Sequence, residues 1–251
     1  MAGHSKWANI KHKKGRADAA RGKVFSKISK EIMVAAAGGG GNIDDNIQLR
    51  ALVQKAKSVS MPKDNIERAI KKGTGELEGG RLEEGSYEGY AAGGIAVVVK
   101  VLSDNKNRSA SEVRHAFSKH GANMAEQGAV SRMFQRRGQI MIAKEIVEED
   151  RLMELALECG ADDLKSEGEH YELLMEPAVF DGVSDALNQA DIAMERSEIT
   201  LIPDVVTEVD SVDQARSIMK FIDALEELDD VQDVYANFEF SEEVFQALDA
   251  E

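Results

Sequence analysis

The chain has 251 residues, 43% of them apolar, and carries a formal net charge of −15 with a pI near 4.9. Its length allows one to three domains with real cores, and its apolar content excludes an intrinsically disordered chain. No apolar run approaches the roughly 18 residues that span a bilayer, no apolar segment follows the basic start as in a secretory signal, and Ala2 after Met1 argues against myristoylation.

In chain order, residues 1–15 read as a flexible basic tail. KVFSKISKEIMVAAA then puts Val24, Ile28, Ile32 and Ala35 on one face, with Lys23, Lys27 and Lys30 mostly on the other, which predicts an amphipathic helix with a basic outer surface. It stops at Gly38–Gly41. NIDDNIQLRALVQKAKSV resumes helical spacing, with Asn42, Asp44 or Asp45 available as caps. SMPKDNIERAIKKGTG reads as a third, short helix with Ser60 as cap, Pro62 in its first turn and Gly73 as its stop. Gly73–Gly85 reads as a linker.

Beyond it the period changes. GGIAVVVKVLS predicts a buried strand, SASEVRHAFSKHG a helix, and AVSRMFQRRGQIMIAK a hairpin turning at Arg137-Gly138. Residues 139–203 follow the order strand, helix, two strands, helix, strand, which is the ferredoxin-like split β-α-β motif. DVVTEV, SVDQARSIMKFIDALEEL and VQDVYANFEF add a strand, a helix and a strand. Residues 88–134 lack enough strands to close a sheet alone, so the segments flanking 139–203 are expected to share one. The expected fold is α+β with three domains: a basic helical domain over 1–75, a central α+β domain over 76–138 plus 204–251, and an acidic ferredoxin-like domain over 139–203 inserted into the central one.

Charge follows this division. Residues 1–75 carry +10, 76–138 carry +1, 139–206 carry −14 and 207–251 carry −12. Such asymmetry points to a polyanion partner for the front and repulsion from phosphate at the rear.

Three stretches resemble one family. GHSKWANIKHKKGRADAARGKVFSKISKEI, MPKDNIERAIKKGTG and DNKNRSASEVRHAFSKHGANMAEQGAVSRMFQRRG are similar to the YebC family, described as transcriptional regulators, with mitochondrial relatives that include a translational activator of cytochrome c oxidase. The resemblance spans essentially the whole chain. It implies the same three domains and a non-enzymatic role in gene expression, through DNA or at the ribosome. The family pattern has Gly-Pro where this chain has Ala91-Ala92, and an aromatic where it has Arg132.

The candidate nucleic-acid-binding residues are Lys6, Trp7, Lys11, His12, Lys13, Lys14, Arg16, Arg21, Lys23, Lys27 and Lys30. They mix phosphate-neutralising cations with a ring that can stack on a base. This pattern specifies phosphate, not sequence, and leaves DNA and RNA both open. A second basic group comprises Arg108, Arg114, His115, Lys119, Arg132, Arg136 and Arg137; it reads equally as a grip or as a solvated face balanced by Glu112 and Glu126.

Catalytic signatures are missing from the sequence. Gly38–Gly41 has no preceding strand and no Gly-Lys-Ser/Thr ending, so it is not a phosphate loop. His115 and His120 fall on different helix faces, and the acid pairs Asp44-Asp45 and Glu83-Glu84 read as caps and surface rather than as nuclease ligands. The single cysteine, Cys159, excludes disulfide frameworks and fits a reducing, cytoplasmic compartment; in LMELALECGA it reads as a small buried thiol. No cofactor or metal is expected. The expected role is a DNA-binding transcriptional regulator, or alternatively a ribosome-associated translation factor contacting structured RNA. The acidic segments are suited to a basic protein partner.

Overall fold

Three helices open the described chain: α1 (Ala17–Gly39), α2 (Ile47–Ser58) and α3 (Lys63–Gly73). The computed structural model describes residues 17–78 and 80–249, so the tail expected over residues 1–15 lies outside the described residues. Ile28, Ile32 and Ala35 of α1 meet Leu49, Val53 and Ala56 of α2 and Ile66 and Ala69 of α3 in one core, while Val24 stays exposed. The cap of α2 is Asn46, not Asn42, Asp44 or Asp45. Its buried side chain accepts from the Leu49 N–H and donates to the Ala35 and Gly40 carbonyls, so one amide stitches the end of α1 to the start of α2. Ser60 is likewise no cap: it takes a left-handed turn (φ 61°), and α3 starts after Pro62. Gly73 serves packing. A Cβ there would collide with the Met33 carbonyl oxygen and stand 2.8 Å from Ala36 Cβ, so the missing side chain permits the close approach of α1 and α3.

The next segment forms β1 (Glu83–Tyr90), β2 (Ala96–Ser103), α4 (Lys106–Lys119) and β3 (Asn123–Ala125). From the far end of the chain come α7 (Val212–Glu226) and β9 (Val231–Ala236). Together they give a four-stranded sheet of order β3-β1-β2-β9, antiparallel throughout. β2 is buried everywhere except Lys100, as its continuous apolar run predicts. α4 and α7 meet through Phe117 and Phe221, edge to face at 4.9 Å. The β2–β9 register slips at Lys100/Val101, leaving Gln232 as an extra residue in a bulge.

The remaining elements are β4 (Phe134–Ala143), α5 (Glu149–Glu158), β5 (Asp163–Glu167), β6 (His170–Met175), α6 (Phe180–Gln189) and β7 (Arg196–Pro203). Their sheet has the order β5-β6-β4-β7 with antiparallel neighbours, so β4/β5 and β6/β7 each straddle one strand, the split β-α-β arrangement. Ile140, Ile142, Leu173 and Met175 face Leu152, Val183 and Leu187 of the two helices.

Two sequence expectations fail here. β4 runs straight through Arg137-Gly138, where a hairpin was expected, because Gly138 is a packing position. A Cβ on it would lie 2.7 Å from Met175 Cγ and 2.8 Å from Phe180 Cδ2. The strand therefore starts at Phe134. VQDVYANFEF is not one strand either. Buried Asn237 accepts from the Thr207 N–H and donates to the Val205 carbonyl, and it turns the chain from β9 into β10 (Phe238–Phe240), which pairs with β8 (Thr207–Val209). A last helix, α8 (Glu242–Asp249), follows.

The chain divides into two compact units. Ser131–Thr207 with Asn237–Glu239 form one; helices α1–α3 and the sheet β3-β1-β2-β9 belong to the other.

Candidate nucleic-acid interface

Lys23, Lys27 and Lys30 share one face of α1, and that face is docked within its own unit rather than presented as an outer basic surface. Lys23 Nζ donates to the Glu227 carbonyl (3.2 Å) and Lys27 Nζ to the carbonyl of the bulged Gln232 (2.8 Å). Lys30 Nζ donates to the Leu102 and Asp229 carbonyls and pairs with Asp230 Oδ1 at 2.9 Å. Lysine stems long enough to reach solvent are long enough to reach these carbonyls, a distinction that helical spacing does not carry.

Asp230 is the centre of this contact. Its side chain is 4% exposed. It accepts from Lys30, from Ser103 Oγ (2.8 Å), from Ser109 Oγ (2.8 Å) and from Arg108 through Nε (3.2 Å) and Nη2 (2.7 Å). Burial pushes its carboxyl upward, but the hydrogen bonds from Lys30, Arg108, Ser109 and Ser103 outweigh burial and hold it well below the usual carboxylate range. Arg108 is correspondingly held above its ordinary range by its hydrogen bonds to Asp230 and Asp104. A carboxylate so paired fixes α1, β2 and α4 to the turn before β9.

Other cations of the helical region remain exposed. Lys57 on α2 and Arg68, Lys71 and Lys72 on α3 carry no ion pair among the described residues, whereas Lys55 pairs with Glu31 at 3.0 Å and Lys63 with Glu67 at 3.4 Å. This group lies outside the residues expected from the sequence, which are those of the arm and α1. Its signal was available, since seven of the sixteen basic residues within 1–75 fall between Arg50 and Lys72, off the apolar positions. Arg21 is exposed on α1. Lys6, Trp7, Lys11, His12, Lys13, Lys14 and Arg16 lie outside the described residues.

The second basic group is distributed over the two units. In the unit that holds α1–α3, Arg108 is committed to Asp230 and Asp104, while Arg114, His115 and Lys119 are exposed on α4. In the other, Arg132 is exposed in the turn Ser131–Met133, Arg136 is exposed on β4, and Arg137 is held by Asp162 (2.5 Å) and Glu176 (2.6 Å). Arg136 and Arg137 thus occupy a strand interior rather than a hairpin tip. Among the described residues, no three His, Cys, Asp or Glu side chains gather as a metal-ligand set, and no helix is long and apolar enough to cross a membrane. Cys159 is half-buried and unbridged.

These features define a mixed α+β protein whose leading helical region carries exposed positive charge on α2 and α3. Residues 5–76 match the TACO1/YebC protein N-terminal domain and residues 82–238 match the TACO1/YebC second and third domain. The chain belongs to the TACO1/YebC family. It is 52% identical over 248 residues to a protein of Syntrophobacter fumaroxidans and 53% identical over 248 residues to one of Geobacter sulfurreducens; both alignments cover 99% of this chain and 100% of the relative. Each relative is named as a probable transcriptional regulatory protein. Among solved structures, the conserved hypothetical protein Aq1575 from Aquifex aeolicus superposes with a TM-score of 0.84 at 47% identity, covering 94% of this chain and 97% of that one.

Proposed function

We propose that the protein is a cytoplasmic, non-enzymatic regulator of gene expression that binds nucleic acid through its basic N-terminal helical region, as a DNA-binding transcriptional regulator. The observation that carries this reading is charge segregation: residues 1–75 hold +10 in a chain of −15, with Lys57, Arg68, Lys71 and Lys72 exposed and unpaired among the described residues. The names of the relatives support the same reading. The three-part organisation expected from the sequence accompanies it: residues 1–75 grip the backbone, and the acidic 76–138 with 204–251 and 139–203 meet a basic protein or orient the first domain.

A second reading, a translation factor on structured RNA at the ribosome, is favoured by one observation. The exposed cations are spread over two helices as point charges, which suits sequence-blind phosphate contact. Ribosome co-sedimentation set against genome-wide DNA crosslinking of the same tagged protein separates the two.

The arm is tested by salt dependence. Each phosphate contact contributes about −0.9 to the slope of log affinity against log salt on duplex DNA and about −0.7 on single strands. Changing Lys11, Lys13, Lys14 and Arg16 to Ala flattens the slope by about 3 units on any sequence. Trp7→Ala leaves the slope unchanged and costs about 1–3 kcal/mol where it stacks on an unpaired base. A wild-type slope in the quadruple variant, with loss on changing Lys57, Arg68, Lys71 and Lys72 instead, moves the grip to α2 and α3.

A further inference from the structure

Nine large apolar side chains are exposed among the described residues, and three of them, Ile146, Met153 and Leu157, fall within twelve residues at and before α5. Single exposed apolar residues are normal. This group has internal order. Met153 and Leu157 are one turn apart, so they form a stripe on one side of the helix, 38% and 59% exposed, with Ile146 (39%) in the turn leading into it. The helix does not need them for its own packing, because Leu152 and Ala156 already fill its core side, with Leu155 and Cys159 at the edge.

Acid borders the stripe on both sides. Helical spacing places Glu149 on one flank and the row Asp150, Glu154 and Glu158 on the other, all exposed. Glu149 and Asp150 also sit in the first turn, where the helix dipole favours them. The dipole does not account for Glu154 and Glu158. None of the four is neutralised by a described residue. The one cation of α5, Arg151, stands beyond the acid row, away from Met153 and Leu157.

An apolar stripe rimmed by unpaired carboxylates excludes a phosphate backbone and complements a cationic helix that carries its own narrow apolar ridge. We propose that the outward face of α5 is a docking site for a basic amphipathic helix of a partner protein. Leucine-type side chains on that helix cover Met153 and Leu157, and its Lys and Arg residues meet Glu149, Asp150 and Glu154. This assignment stands independently of nucleic-acid binding by the N-terminal helical region.

The test uses the full chain and a synthetic Leu/Lys peptide with leucines at helical i, i+4 and i+7 spacing, beside a scrambled peptide of identical composition. Binding is followed by anisotropy and mapped by amide chemical shifts. The patterned peptide is expected to shift α5 and to bind about tenfold more tightly than the scrambled one. Met153→Ser with Leu157→Ser is expected to remove that advantage; both side chains are exposed, so the fold is retained. Glu149→Gln with Asp150→Asn and Glu154→Gln is expected to weaken binding and its salt dependence together. Equal binding of the two peptides, or an unchanged affinity in the double-serine variant, overturns the proposal by reducing the site to charge alone. A dimer that sedimentation shows to be lost on Leu157→Ser overturns it in favour of a second copy of this chain. Shifts of α5 by an RNA oligonucleotide overturn it in favour of nucleic acid.

Discussion

Gly73 and Gly22 are both helical glycines, yet replacing them has opposite consequences. Alanine is favoured over glycine in a helix interior by about 1 kcal/mol. At Gly22, on α1, a Cβ meets nothing within 4 Å, so Gly22→Ala is expected to raise stability by up to that amount. At Gly73 a Cβ meets the Met33 carbonyl, which belongs to the backbone of α1 and yields only if the helix moves. Overpacking of that kind costs about 1–3 kcal/mol, more than the propensity gain, so Gly73→Ala is expected to lower stability. Thermal melts of the two variants check the pair, and a stabilised Gly73→Ala contradicts the close approach. Gly138→Ala belongs with Gly73, since Met175 and Phe180 already occupy the space. Sequence alone shows each of these glycines as a possible breaker, because nothing local distinguishes a glycine that turns the chain from one that makes room for a neighbour far away.

At the scale of elements, α1 is held to the sheet by its lysines and by Asp230. Removing one partner of a buried ion pair costs about 3–5 kcal/mol. Asp230→Asn is therefore expected to lower stability at neutral pH, measurable by urea unfolding. The pH dependence follows from the depressed carboxyl. Its stabilising contribution is complete above its unfolded pKa of about 3.9 and is lost as pH falls toward the lower folded value. The gap between wild type and Asp230→Asn should thus be full above about pH 5 and narrow on acidification. A gap independent of pH counts against the ionised hub. Element type was legible from the sequence wherever the hydrophobic period was clear: α1–α3, although the caps expected for α2 and α3 fall elsewhere, the buried run of β2, and the order β-α-β-β-α-β. What stayed hidden depends on distant partners. The inward use of Lys27 and Lys30 needs the carbonyls of residues 229–232, some 200 positions away, and the break at Asn237 needs Val205 and Thr207.

Across the whole molecule, the exposed stretch between α3 and β1 is the place where the helical region can be cut from the rest. Arg81 is exposed there, just ahead of β1 at Glu83. Brief trypsin treatment is expected to nick the chain at Arg81 and give a basic N-terminal fragment on a denaturing gel. Because Lys23, Lys27 and Lys30 still reach the turn and strand after α7, the fragments should co-elute on gel filtration at low salt. Asp230→Asn should let them separate. Separation of the wild-type fragments under the same conditions shows that the lysine contacts do not hold the helices in place.

The pairing of β2 with β9 also orders events in time. The two strands lie more than 120 residues apart, and Ser131–Thr207, which makes up most of one compact unit, is made between them. A chain emerging from the ribosome presents β2 with only β1 as neighbour until synthesis has passed β9. Segment 131–207, whose strand pairings are shorter in range, can collapse first, and the long β2–β9 loop is closed afterwards at a smaller entropic cost than an unfolded tether would carry. During that interval the unpaired apolar edge of β2 is an aggregation-prone surface of the nascent protein.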